Sequence, residues 1–171
     1  KSMADYNLLL KTNRSEAEIL AGSMNITYSE FFRNPLVFDL LQQTIFPDIF
    51  FKKKKSGWNE IRIWSAAAAA GQEVYSLAMI LDHLKMSYQS KIQFHVFASD
   101  ICQSEIEKAK TGFYPAEQLQ NLPLKYLNKY FYSNTVLNVL NIEKAFNKIR
   151  LLKSKNTIFR KESPVLLFLV V

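Results

Sequence analysis

The chain is poor in the residues that most often carry cofactors or covalent cross-links. One cysteine, Cys102, stands among 171 residues, which excludes an internal disulfide and suits a reducing compartment. The two histidines, His83 and His95, have no third ligand at metal-like spacing, so no zinc centre is expected. Only four glycines occur and none forms a G-x-G-x-x-G fingerprint, which argues against a nicotinamide-dependent oxidoreductase. The apolar run Val165–Val171 is far shorter than the roughly 20 residues a membrane-spanning helix needs. No secretory signal pattern is present either, and no membrane insertion is expected.

What remains is a composition of 49% hydrophobic residues, enough for a sizeable core, with a formal charge of +7. The basic run Lys52–Lys55 invites a nucleic-acid reading. Its place between Phe50 and the segment Ser56–Gly57 argues instead for a solvated linker, and no nucleic-acid partner is expected.

The most informative stretch is Ile61–Leu84, IRIWSAAAAAGQEVYSLAMILDHL. Ile61, Ile63 and the run around Trp64 suit a buried parallel strand, and Val74, Leu77, Leu81 and Leu84 recur at helical spacing on one face. Between them five alanines and Gly71 offer almost no side chain. Alanine is also the best helix former, so the run alone reads equally as the start of the helix. In an open α/β sheet, however, ligands bind beyond the carboxyl ends of the strands, where a turn of small residues lets them approach the main chain.

The next segment, KIQFHVFASD (Lys91–Asp100), alternates Ile92, Phe94, Val96 and Ala98 with Gln93, His95 and Phe97, as a strand does. It places Asp100 at the strand's carboxyl end. A carboxylate there can accept hydrogen bonds from both hydroxyls of a ribose; the competing role is to cap the helix starting near Ser104. Further helices are expected over Ser104–Lys110, ended by Gly112, and over Leu124–Phe131. Cys102 lies near the start of the first of these and is read as a packed thiol.

With these elements in place, Thr27–Phe131 resembles the CheR family, the chemotaxis-receptor glutamate methyltransferases that use S-adenosylmethionine. The resemblance rests on an ordered series: SEFFRNPLVF (Ser29–Phe38), RIWSAAAAAGQEVYSLAM (Arg62–Met79), FASDI (Phe97–Ile101), AKTGFY (Ala109–Tyr114) and KYF (Lys129–Phe131). It implies a Rossmann-like α/β methyltransferase fold. It also implies methyl transfer to glutamate side chains on the cytoplasmic methylation helices of a methyl-accepting chemotaxis receptor, hence a cytoplasmic protein. A basic surface would suit those acidic helices.

By the same resemblance, Glu73 contacts the amino-acid end of the cofactor and Asp100 its ribose, with the backbone at Ala66 and Gly71 approaching it. Arg33 lies over the methionine part or the incoming carboxylate and is the candidate catalytic residue. Thr27 and Ser29 correspond to a small polar pair upstream of it, with Asn25 as the alternative in a shifted register. Asn156 corresponds to the residue that meets adenine. The family usually has Ser and Thr before the glycine and two acidic residues after it; here those places hold Ala69, Ala70, Gln72 and Glu73. Phe31 and Phe32 read as packing residues, and Tyr114 as either a packing aromatic or a site residue.

Residues 1–26 are expected to be a remnant of an N-terminal helical domain, and 27–171 the cofactor-binding domain with an incomplete sheet. Val165–Val171 reads as a central parallel strand lacking partners, and Ile149–Ile158 loosely matches a family strand. The alternative to an active enzyme is a non-catalytic remnant that binds cofactor or receptor.

Overall fold

The computed structural model of the chain describes residues 2–23, 28–57, 59–134, 139–142, 149–153 and 167–169. Two short helices, α1 (Met3–Thr12) and α2 (Arg14–Ser23), come first, and neither buries a residue. A capping box starts α1: the Asp5 N–H donates to Ser2 Oγ, and the Ser2 N–H donates to the Asp5 carboxylate.

A longer helical segment follows, consisting of α3 (Pro35–Leu40), a π-helical stretch Leu41–Ile45, and α4 (Phe46–Ser56). Pro47 explains the interruption. It has no N–H to continue the ladder, and its ring crowds the carbonyl four residues back, so the preceding turn widens. Gly57, with φ 74°, closes α4. The lysine run expected as a linker therefore lies inside α4. Lys53, Lys54 and Lys55 occupy its last turn, where positive charge complements the helix dipole, and Lys52 pairs with Asp48 at 2.6 Å.

The central unit is β1 (Glu60–Ala66), α5 (Gln72–Ser87) and β2 (Gln93–Asp100). Along β1 the buried Ile61, Ile63 and Ser65 alternate with partly exposed neighbours. The expected face of α5 is buried, but so is every residue from Val74 to Leu81. This helix is enclosed because β2 packs on one side while α4 and the π-helical stretch pack on another. Phe31, Phe38, Phe46 and Phe50 join Ile61, Ile63, Leu77, Ile80 and Phe94 in one hydrophobic cluster, so both parts of the chain share a core.

Beyond β2 come α6 (Gln103–Thr111), β3 (Phe113–Pro115), a 3₁₀ turn at Ala116–Leu119, α7 (Leu124–Tyr130), β4 (Phe131–Asn134), β5 (Val139–Ile142), β6 (Ile149–Lys153) and β7 (Leu167–Leu169). The first sheet has the order β6-β2-β1-β7 with every pairing parallel. Leu167–Leu169 is thus a parallel strand, as expected for the apolar run, and it stands outermost among the described strands, paired with β1. The second sheet, β3-β5-β4, is antiparallel. Helix α7 is latched to α5, with Asp82 accepting from Lys129 Nζ at 2.9 Å and from the Tyr130 hydroxyl at 2.6 Å. Among the described residues no helix is long and apolar enough to cross a membrane.

Candidate functional site

Parallel register decides where the site forms. Ala66, the last residue of β1, lies opposite Ser99, so the turn after β1 emerges beside Asp100 at the end of β2. The other four alanines, Ala67–Ala70, form this turn, and α5 begins only at Gln72. Ala67, Ala69 and Gly71 have φ of 55°, 44° and 90°. Left-handed alanines cost about 1–2 kcal/mol each.

A carboxylate of the protein itself ties this turn down. The Ala69 N–H donates to Asp100 Oδ2 at 2.8 Å, and the Cys102 N–H donates to Oδ1 at 2.8 Å. Asp100 therefore clamps two strand-to-helix turns together. It does not cap α6 through its side chain, because Cys102 is the residue at that position. An ionised carboxylate offers about four acceptor positions, so the two backbone donors leave room for a ribose hydroxyl pair.

The Ala68 N–H is taken by Ser99 O at 3.1 Å and the Gly71 N–H by Ala68 O at 2.9 Å. Tyr114 is buried, and its hydroxyl donates to Ala70 O at 2.8 Å. Its ring packs edge-on against Phe31 at 4.9 Å, so it acts as a packing aromatic that also fixes the turn. Gly71 has a role the sequence did not reveal. A Cβ there would sit 2.8 Å from Ala109 Cβ of α6, so its missing side chain allows α6 to approach. Gly71→Ala combines this clash with an unfavourable φ, and a loss of about 2–4 kcal/mol is expected in denaturant unfolding.

Glu73, in the first turn of α5, is half-buried and faces the end of β1. Burial pushes its carboxyl up to about 7, opposed by the Ser65 hydroxyl, which donates to Oε1 at 3.0 Å, and by the positive charge of Arg33. Ser65 was missed as a site residue. Its signal was a hydroxyl at an inward position of a buried strand.

Arg33 is exposed, and its guanidinium lies 5.2 Å from the centroid of the Tyr28 ring. The two residues before it are core anchors, as expected: Phe31 and Phe32 are buried, and Phe32 stacks on Tyr126 at 5.3 Å. Phe32 has φ 51°, unusual for a bulky side chain, and its N–H donates to Ser76 Oγ at 3.2 Å. Ser29 lines a cavity of about 920 Å³ together with Ala70, Gln72 and Tyr114. Thr27, Asn25 and Asn156 lie outside the described residues.

Glu73 and Asp100 suit the two ends of a nucleoside that carries a free amino-acid group. A carboxyl held near neutrality by burial gains from a ligand ammonium group, and a strand-end aspartate with spare acceptor positions gains from a ribose. With a parallel sheet and a small-residue turn, they define the class as a Rossmann-like nucleoside-cofactor domain.

The family model described as CheR methyltransferase, SAM binding domain matches residues 27–168. The chain belongs to the CheR methyltransferase family, whose cofactor is S-adenosylmethionine. It is 31% identical over 135 residues to a chemotaxis protein methyltransferase of Borreliella burgdorferi, covering 75% of this chain and 48% of that one. It is 36% identical over 132 residues to the chemotaxis protein methyltransferase of Escherichia coli, covering 76% and 42% respectively. A chemotaxis protein methyltransferase 1 of Pseudomonas aeruginosa is 30% identical over 135 residues, covering 77% and 48%. The chain thus spans under half the length of these relatives.

Proposed function

We propose that this chain binds S-adenosylmethionine across the β1–α5 turn and takes part in methyl transfer to glutamate side chains of a methyl-accepting chemotaxis receptor in the cytoplasm. The observation carrying this reading is the placement of Glu73 and Asp100 at one turn beyond the carboxyl ends of β1 and β2, with the charge of Arg33 acting on Glu73. Relatives that are themselves chemotaxis protein methyltransferases support it. Residues 1–26 are assigned to a helical domain and 27–171 to the cofactor-binding domain. This division is supported by the absence of buried residues in α1 and α2 and by the start of the family match.

The reaction needs little acid or base help from the protein. A substrate glutamate is ionised at neutral pH, since its reference pKa is about 4.3. When bound, the cofactor supplies a methyl group on a positively charged sulfur that leaves readily. Transfer of that methyl group to a carboxylate oxygen would leave the electron pair of the broken carbon–sulfur bond on sulfur. The chain's part is positioning. Glu73 holds the ammonium group, Asp100 and the turn hold the ribose, and the backbone near Ala66 and Gly71 lies against the ligand. Arg33 offers a planar pair of donors that matches a carboxylate and steers it toward the methyl group.

Arg33→Ala tests this assignment. Transfer to a receptor fragment should fall about 100-fold, while S-adenosylhomocysteine affinity measured by calorimetry should change less than about threefold. Equal losses would remove the steering role. Saturable cofactor binding by the unmodified chain with no transfer would identify a binding remnant instead.

A further inference from the structure

Arg33 is exposed, and an arginine side chain in solvent samples many rotamers. Steering a carboxylate requires a narrow set of them, so whatever restricts this side chain bears on the rate of transfer. One contact supplies such a restriction. The guanidinium carbon of Arg33 lies 5.2 Å from the centroid of the Tyr28 ring, which is itself 57% exposed. In sequence the two residues flank Phe31 and Phe32, both buried, so the backbone between ring and guanidinium is anchored in the core.

The ring is held in its turn. The Tyr28 hydroxyl donates to Glu30 Oε1, and Glu30 Oε2 accepts from Asn121 Nδ2 at 3.2 Å. Asn121 lies just before α7, 91 residues beyond Glu30, so a run of contacts from Asn121 through Glu30 and Tyr28 ties Arg33 to a distant part of the fold. Tyr28, Glu30 and Asn121 all line the 920 Å³ cavity, beside Ala70 of the small-residue turn. The hydrogen bond to Glu30 pushes the Tyr28 phenol up, and the charge of Arg33 opposes it; the same charge lowers Glu73. Arg33 is therefore within electrostatic reach of both the ring that contacts it and the carboxyl assigned to the cofactor.

We propose that Tyr28 is a positioning residue for methyl transfer, its ring braced by Glu30 and Asn121 and holding the Arg33 guanidinium where the substrate carboxylate is received. An aromatic ring suits this task better than an acidic partner would. A salt bridge would occupy the planar donors that the substrate needs, whereas a ring attracts the cation without consuming its N–H groups. The hold on the guanidinium follows from these contacts alone. Its part in transfer rests on the methyl-transfer reading.

The test compares Tyr28→Leu, Tyr28→Trp, Arg33→Ala and the Tyr28→Leu/Arg33→Ala double variant in the full chain. Tyr28 is exposed, so its substitutions should leave folding intact. Two readouts are taken: nitrogen-15 relaxation of the Arg33 Nε–H group, which needs no turnover, and methyl transfer to a receptor fragment at saturating S-adenosylmethionine. In Tyr28→Leu the Arg33 Nε–H should become more mobile, and kcat should fall about fivefold while the KM for S-adenosylmethionine changes less than about twofold. Tyr28→Trp restores an aromatic face and should recover both. Once Arg33 is already alanine, Tyr28→Leu should lower transfer no further, which a merely structural role could not produce. Equal Arg33 mobility in parent and Tyr28→Leu, failure of tryptophan to rescue, or full additivity with Arg33→Ala would overturn the proposal. Undiminished transfer by Arg33→Ala, or no transfer by the parent chain, would remove the part in transfer together with the steering reading, while the relaxation result decides by itself whether Tyr28 holds Arg33.

Discussion

Asp100→Ala is expected to reduce fold stability and cofactor affinity together. The carboxylate accepts from the Ala69 and Cys102 N–H groups, both at 2.8 Å, and each bond to a charged acceptor is worth about 1.5–3 kcal/mol. Partial exposure lowers the sum, so a stability loss of about 3 kcal/mol is expected in urea unfolding. S-adenosylhomocysteine affinity should fall at least about 100-fold, because the ribose loses its acceptor and the turn loses its clamp. Asp100→Asn separates the contributions. Asparagine retains one acceptor but turns an amide N–H toward a backbone N–H, so it should recover part of the stability and little of the affinity. A folded Asp100→Ala chain with unchanged stability would remove the clamp; unchanged affinity would remove the ribose contact.

Glu73→Gln has the opposite stability consequence. Burial raises the Glu73 carboxyl from 4.5 to about 7 in the folded chain. The folded state therefore retains its proton where the unfolded state has lost it. Stability contributed by this group falls as pH rises from about 4.5 through about 7, then remains level. Glutamine removes the charge yet can still accept from Ser65 Oγ. At pH 8 the variant should be more stable than the parent by up to about 3 kcal/mol, with a flatter pH profile across that window.

The same substitution should weaken cofactor binding, since a neutral amide no longer complements an ammonium group. In the parent chain near pH 6.5, binding should also release protons from Glu73. Calorimetry in buffers of different ionisation enthalpy would detect this release, and a buffer-independent heat would argue against Glu73 meeting the ammonium. Greater stability with poorer binding in one variant would mark Glu73 as a residue held in a strained state by its role.

Several parts of this site were legible in linear order. The strand through Ile61 and Ile63, the turn of small residues, the helix with Glu73 in its first turn and the second strand ending at Asp100 are all set by local periodicity and side-chain size, while the extension of β1 to Ala66 is set by pairing with β2. Phe31 and Phe32 read correctly as core residues. Gly112 ends α6 in a left-handed conformation, as expected of a glycine just past a helix. The FFR element and the order of the motifs were sufficient to indicate the family.

Other features depend on what lies across from a residue, which periodicity cannot encode. The lysine run belongs to α4 because Pro47 is absorbed by a π turn within a helical segment. The enclosure of α5 follows from packing on more than one face, which no single amphipathic pattern describes. In the short antiparallel sheet β3 pairs with β5 across the intervening α7 and β4. Gly71 yields space to Ala109, Asp100 clamps two backbones, Ser65 reaches Glu73, and Gln72 is left with a buried acceptor unmatched among the described residues.

The sequence by itself determined the order of strands and helices, the small-residue turn and the family, because side-chain volume and apolar period are local properties. Only the tertiary structure decided which carboxylate is raised toward neutrality and which is tied to the backbone. Those outcomes depend on desolvation and hydrogen-bond geometry, and both arise when parallel register sets the ends of β1 and β2 side by side.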